Sequence, residues 1–210
     1  MRFPTLDRHF TGVSVPVAAL RTDRSCGVGE FADLPALGAW CRSAGLDLIQ
    51  LLPVNDTGGN SSPYSAVSAF ALHPLYLRLD DLPGAAACAS ELATFRAETA
   101  AVESAVTGRK GSGRAAGGRF DYPRVLSFKL GIVERLFDAQ EKSIRRDTVF
   151  AAWRAANPWC VAHAVFTAAR ATRDNAPWRT WGGLADPRPE DIAAWWDAHE
   201  RACLTVAWAQ

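Results

Sequence analysis

The spacing of apolar positions changes part-way along the chain. Gly12-Val13-Ser14-Val15-Pro16-Val17 and Leu48-Ile49-Gln50-Leu51-Leu52 are short, nearly continuous apolar runs. Runs of this kind read as strands buried on both faces, as in a parallel sheet. Between them Phe31, Leu34, Leu37 and Cys41 form a helical stripe with Trp40 beside it, and Gly45 stands where a helix stop is expected. Strand, helix and strand within about 40 residues predict a βαβ unit with a right-handed crossover. A third extended piece is expected over Leu75 to Leu79, ending at Asp80-Asp81.

From about Pro83 the pattern turns helical. Cys88, Leu92, Phe95, Thr99, Val102 and Val106 share one face, and Leu126, Leu130, Val133 and Phe137 mark the next helix. A further helix starts near Pro158 and holds Val161, Val165 and Ala169. The last starts at Pro189-Glu190-Asp191, proline plus acids suiting a helix N-terminus. Its stripe is Ile192, Trp196, His199, Cys203 and Val206. Residues 107–119 are rich in Gly and Arg without periodicity and read as a mobile loop. One βαβ unit leaves strand edges and faces uncovered. The chain therefore reads as α/β: residues 1–82 open a larger architecture, and residues 83–210 form an inserted, mainly helical subdomain.

Composition narrows the class. The 210 residues are 49% hydrophobic and 21% charged with a net charge of +1, which is ordinary for a soluble protein and makes no electrostatic case for nucleic acid or an anionic membrane. Cys26, Cys41, Cys88, Cys160 and Cys203 are odd in number and scattered, as expected of free thiols in a reducing compartment. No apolar run approaches a membrane span and Met1 to Phe10 lacks a signal-peptide core, so a cytoplasmic location is expected.

The candidate chemistry lies just after the second strand. Asn55, Asp56, Thr57, Asn60, Ser61, Ser62, Tyr64 and Ser65 crowd one loop. Short donors, short acceptors and a ring with a polar tip suit a polyhydroxylated ligand. Tyr64 follows Ser62-Pro63, where proline fixes the backbone; it reads as a stacking platform or as a ring packed beneath its own turn. Asn55 and Asp56 read equally as hydroxyl binders or as loop caps. Ser62 and Ser68 lean towards backbone bonding, and His73 towards a structural hydrogen bond. Trp153, Trp159, Trp178, Trp181, Trp195, Trp196 and Trp208 sit at spacings that favour packing. The histidines have no metal-ligand spacing, and Gly27-Val28-Gly29 is too short for a dinucleotide fingerprint.

Leu51-Leu52-Pro53-Val54-Asn55-Asp56-Thr57, with Ser62-Pro63-Tyr64-Ser65 and Phe70-Ala71-Leu72-His73-Pro74-Leu75-Tyr76, resembles the second-strand region of the 4-α-glucanotransferases, the amylomaltases and disproportionating enzymes of glycoside hydrolase family 77. Ser25-Cys26-Gly27-Val28-Gly29-Glu30-Phe31 is similar to the family's first Gly-rich loop, and Asp121-Tyr122 to Lys129 to a helix start of the family. Trp159, His163-Ala164-Val165-Phe166, Trp178 and Trp181 fall in the same order as in the family, with His163 where a Tyr is expected.

The resemblance implies a (β/α)8 TIM barrel, present here as its first strands only, with helical insertions. It implies transfer of an α-1,4-glucan segment to a new acceptor through a covalent glycosyl-enzyme. It implies a maltooligosaccharide or glucan substrate and no metal or organic cofactor, while the near-neutral charge leaves no nucleic-acid or membrane partner expected. The family's three carboxylates lie on later strands, so no catalytic residue is expected before Gln210. The substrate-binding candidates are Tyr64, Asp56, Ser62, Asn55, Ser68 and His73, and the partner is the remainder of the barrel. Two rivals stand beside this expectation: a non-catalytic carbohydrate-binding remnant, and a structural helical module.

Overall fold

Gly12–Val15 (β1) and Leu48–Leu51 (β2) pair in parallel, Gly12 opposite Leu48 and Val15 opposite Leu51. This computed structural model describes residues 9–107 and 121–210, with side chains described for residues 9–101 and 121–210. The crossover between the strands is α1, Leu34–Ser43, entered by a 3-10 turn at Phe31–Asp33 and closed by Gly45 at φ +73°. Only glycine takes that left-handed turn without strain. The βαβ expectation therefore holds, while the expected burial of β2 does not. Leu48 is 56% exposed and Leu51 37% exposed. Among the described residues the sheet has two strands, so no further strand covers their side chains.

The expected third strand is a correction. Pro74–Tyr76 and Leu79–Asp81 are 3-10 turns. Pro74 has no N–H to give a ladder and seeds a turn at its fixed φ. His73 helps by accepting from Leu75 N–H at 3.5 Å. Leu75 and Leu79 are still buried, as apolar residues of a strand would have been.

Five of the later helices agree in place with the apolar stripes or sit beside them. Ala89–Thr107 is α2, which buries Leu92 and Phe95. Cys88 lies in the 3-10 turn ahead of it, and the side chains of Val102 and Val106 lie outside the description. The Gly/Arg stretch falls almost wholly within 108–120, outside the described residues. Tyr122–Ile144 is α3, N-capped by Asp121 through Arg124 N–H at 3.1 Å. It buries Tyr122, Val125, Lys129, Ile132, Val133, Leu136 and Phe137, a three-to-four spacing continued over more than four turns. Leu130, expected on that face, is 43% exposed.

A helix missing from the sequence reading, Thr148–Ala156 (α4), is capped by Asp147 at Val149 and Phe150 N–H. Trp159–Ala171 is α5. The single last helix expected from Pro189 onward is two, Pro189–Ala198 (α6) and Glu200–Trp208 (α7), broken at His199 with φ −132° and ψ 33°. The stripe survives the break because both halves pack on α5.

The main core draws on both ends of the described chain. Val17, Cys26 and Val28 meet Leu75 and Leu79, and α2 and α3 close over them with Leu92, Phe95, Val125 and Ile132. A second cluster joins α5 to α7 through Cys160, Ala164, Val165, Cys203 and Ala207. All five cysteines are buried and free. Burial pushes the Cys26 thiol up to about 11 and Cys203 up to about 12, so neither is a thiolate at neutral pH.

Beneath the Gly-rich loop lies a charged knot. Glu30 and Lys129 are both fully buried, and Lys129 Nζ reaches Glu30 Oε1 at 2.5 Å and Leu77 O at 2.8 Å. Arg78 bonds the other Glu30 oxygen and also Asp33. Burial and the Arg78 guanidinium act on Asp33 in opposite senses. With Glu30 N–H and Thr22 also donating, its carboxyl sits below the usual range. Two acids and two bases thus tie α1's start, the segment between the two 3-10 turns and α3 together.

Candidate sugar-binding rim

The loop after β2 is clasped at its base. Asn55 bridges Leu72 in antiparallel fashion, Asp56 N–H bonds Ala71 O at 2.8 Å, and His73 N–H bonds Val54 O at 3.0 Å. Gln210, at the end of α7's last turn, pins Leu72 from outside through its side-chain amide, at 2.9 and 3.1 Å.

Within the clasp most polar side chains are committed to the loop's own backbone. Asp56 Oδ1 accepts from Gly58 N–H at 2.8 Å, and Asn60 Oδ1 from Ser62 N–H at 2.9 Å. Thr57 donates to Asn60 O at 2.6 Å. Ser68 Oγ accepts from Phe70 and Ala71 N–H at 3.2 and 3.0 Å. These are the Asx and Ser turns such residues favour. Tyr64 remains at the tip, 72% exposed, with Ser62 half-buried beside it.

The six sequence candidates therefore separate. Tyr64 and Ser62 stand at the rim, Asn55 and Ser68 shape its base, and Asp56 and His73 lie beneath it, 5% and 2% exposed. Of the polar residues that crowd the loop, only part reach its outer edge. The inward side chains meet backbone N–H groups of the loop that would otherwise lack a partner within it.

Under the loop His73 Nε2 meets the Tyr122 hydroxyl at 2.5 Å, and that hydroxyl donates to Gly58 O at 2.8 Å. Asp56 faces two imidazoles, with His73 Nδ1 3.5 Å from Oδ1 and His163 Nε2 3.5 Å from Oδ2. Burial pulls both imidazoles below the ordinary histidine value, against the pull of Asp56. Burial raises the Tyr122 phenol, which stays protonated. Beside the rim Phe70 stacks on Trp159 of α5, ring centres 6.0 Å apart and 19° from parallel. Together with His163, Phe166, Trp178 and Trp181 they line a cavity of about 460 Å³. Trp181 is buried, as packing requires, whereas Trp178 is 46% exposed.

Sequence reasoning missed Tyr122, His163 and the Phe70–Trp159 stack. Asp121-Tyr122 was visible as a helix start, and His163 as a departure from a pattern. Neither carried any sign that both lie under the loop.

The sequence model of the 4-alpha-glucanotransferase family matches residues 15–210. The chain belongs to that family. A 4-alpha-glucanotransferase of Chlamydia caviae is 48% identical over 85 residues, covering 40% of this chain and 16% of its own length. One from Oryza sativa subsp. japonica is 31% identical over 191 residues, 86% of this chain and 18% of its own. The chain thus spans less than a fifth of these relatives. In fold it is similar to the amylomaltase of Streptococcus agalactiae, solved in complex with acarbose. That likeness has a TM-score of 0.71 at 17% identity, covering 97% of this chain and 38% of the amylomaltase. Among the described residues no helix is long and apolar enough to cross a membrane, and no cluster of metal-binding side chains occurs.

Proposed function

We propose that this chain is the sugar-holding part of a 4-α-glucanotransferase, which passes a segment of an α-1,4-glucan to a new acceptor sugar. The family match across residues 15–210 carries the reading. In it, residues 1–82 open a (β/α)8 barrel whose remaining strands complete the sheet at β1 and β2, and residues 83–210 are a helical insertion. The exposed apolar side chains of β2 support that arrangement.

Tyr64 offers its ring to a glucose face and Ser62 its hydroxyl to a sugar oxygen, while Asn55, Asp56, Ser68 and His73 hold them in place. A ring with a polar tip and a short donor beside it is the pairing that orients a flat, hydroxylated ligand. No carboxylate of the chain is given a chemical role. A retaining site needs two carboxylates about 5 Å apart, and Asp56 faces imidazoles instead. The binding step is then local, and the bond-making carboxylates come from elsewhere in the barrel.

The test is glucose release from maltotriose by the protein as its own gene encodes it. Tyr64→Ala is expected to weaken maltotriose use roughly tenfold, the loss of one aromatic contact of about 1.5 kcal/mol. The melting temperature should stay unchanged, because the ring is exposed. Binding without glucose release marks a carbohydrate-binding remnant; no binding and no effect of Tyr64→Ala marks a structural module.

A further inference from the structure

The cluster of Asp56, His73 and His163 brings two elements together. Asp56 and His73 belong to the clasped loop, and His163 to α5. His163 is 7% exposed, and its Nε2 has no hydrogen-bond partner and faces Asp56 Oδ2. We propose that His163 is a positioning residue: as a neutral imidazole it seats the rim loop on α5 through Asp56, and acid unseats the loop. The seating stands apart from any ligand. Its bearing on glucan binding rests on the function proposed above.

The argument is one of charge count. Asp56 shares one negative charge between two buried imidazoles, so neither imidazolium would have a full counter-charge of its own. The other charged and titratable groups nearby do not alter that balance. Lys129 of α3 lies on the His73 side and opposes a charge there. Tyr122 of α3 stays neutral. Arg170 of α5 lies against Gly58, adding positive charge rather than negative. Glu134 of α3 and Arg201 of α7 line the cavity that Asp56 and His163 share, and they bond each other, so their charges offset.

The sign follows from burial. Both imidazoles sit below their ordinary value of about 6.5 in the seated loop and regain it once the loop lifts into water. The lifted state therefore binds more protons, and seating weakens as pH falls below about 6.5. Each imidazole contributes about a tenfold loss of seating per pH unit within its window. Phe70 and Trp159 provide the readout, since their stack spans the same junction.

The experiment follows the Trp159 indole N–H and the histidine ring nitrogens by ¹⁵N NMR between pH 8 and pH 5, in wild type, His163→Gln and Asp56→Asn. The expected result is a Trp159 shift that tracks imidazole titration with about two protons per loop released. That should fall to about one in His163→Gln, whose amide still reaches Asp56. Two protons in the variant, or a His163 in wild type that titrates at the ordinary value with Trp159 unmoved, overturns the proposal. The wild-type titration alone decides the matter if the variants do not fold. Maltotriose affinity measured over the same range separates the two claims. Seating lost in acid with no sugar bound at any pH sinks the sugar reading and spares the latch.

Discussion

Lys129→Met should lower the stability of the protein by about 3–5 kcal/mol, the usual cost of removing one partner of a buried ion pair. Native domains hold only about 5–15 kcal/mol in reserve, so this one change threatens the fold. Lys129 and Glu30 are fully buried, and the lysine's departure leaves Glu30, Asp33 and Arg78 with an excess negative charge away from water. Burial already drags the Lys129 ammonium below its ordinary range, and Glu30 works against that pull. Desolvation is therefore a large opposing cost that the knot offsets only while complete. The double change Lys129→Met with Glu30→Gln should recover at least about 1 kcal/mol relative to the sum of the single changes. Urea unfolding midpoints of the four proteins measure this. A double variant no better than additive would mean that the two side chains act independently.

Gly29→Ala should be comparably severe, above about 3 kcal/mol, for a steric reason. A Cβ at Gly29 would lie 1.9 Å from Val17 O and 2.8 Å from both Leu20 N and Leu20 O. These are backbone atoms, which cannot rotate aside. The Gly-rich loop presses there against the segment leaving β1, with Gly29 N–H bonded to Ala18 O at 3.3 Å. Gly38→Ala is the control. Nothing lies within 4 Å of that position, in the interior of α1, so alanine should stabilise by about 0.5–1 kcal/mol. Thermal melts of both variants check the pair, and a mild Gly29→Ala would show that the loop can retreat.

These two sites explain what was legible in the chain and what was not. The βαβ unit could be read because Val13, Val15, Ile49 and the Phe31–Cys41 stripe carry the periods of their elements, and Gly45 ends the helix chemically. The region from Leu75 to Leu79 could not, because buried 3-10 turns and buried strands both look like apolar runs. The helix α4 is nine residues long and buries none of them fully, so it has little stripe to find. The final helix looks unbroken in the sequence because His199 interrupts the backbone without interrupting the apolar spacing.

Of the site, the loop itself was plain, since Asn, Asp, Ser and Pro so close together have few other uses. Which side chains point outward was not. That depends on distant partners: Tyr122 and His163 lie 66 and 107 positions beyond Asp56. Local chemistry names the residues that can bind a hydroxyl, and tertiary contact decides which remain free to do so. The buried Glu30–Lys129 pair, 99 positions apart, escaped for the same reason.

The Asn55–Leu72 bridge has a consequence for the timing of ligand capture. A loop whose two ends are already stitched together has lost its closure entropy during folding rather than at the encounter with sugar. On the sugar-binding function proposed above, capture at such a rim therefore carries little further cost for closing the base of the loop. The seam at the base runs through main-chain atoms, so a change of the exposed Tyr64 side chain leaves it intact. Relatives with the same seam and a different residue at position 64 should differ in how long a sugar stays, and little in how fast it arrives.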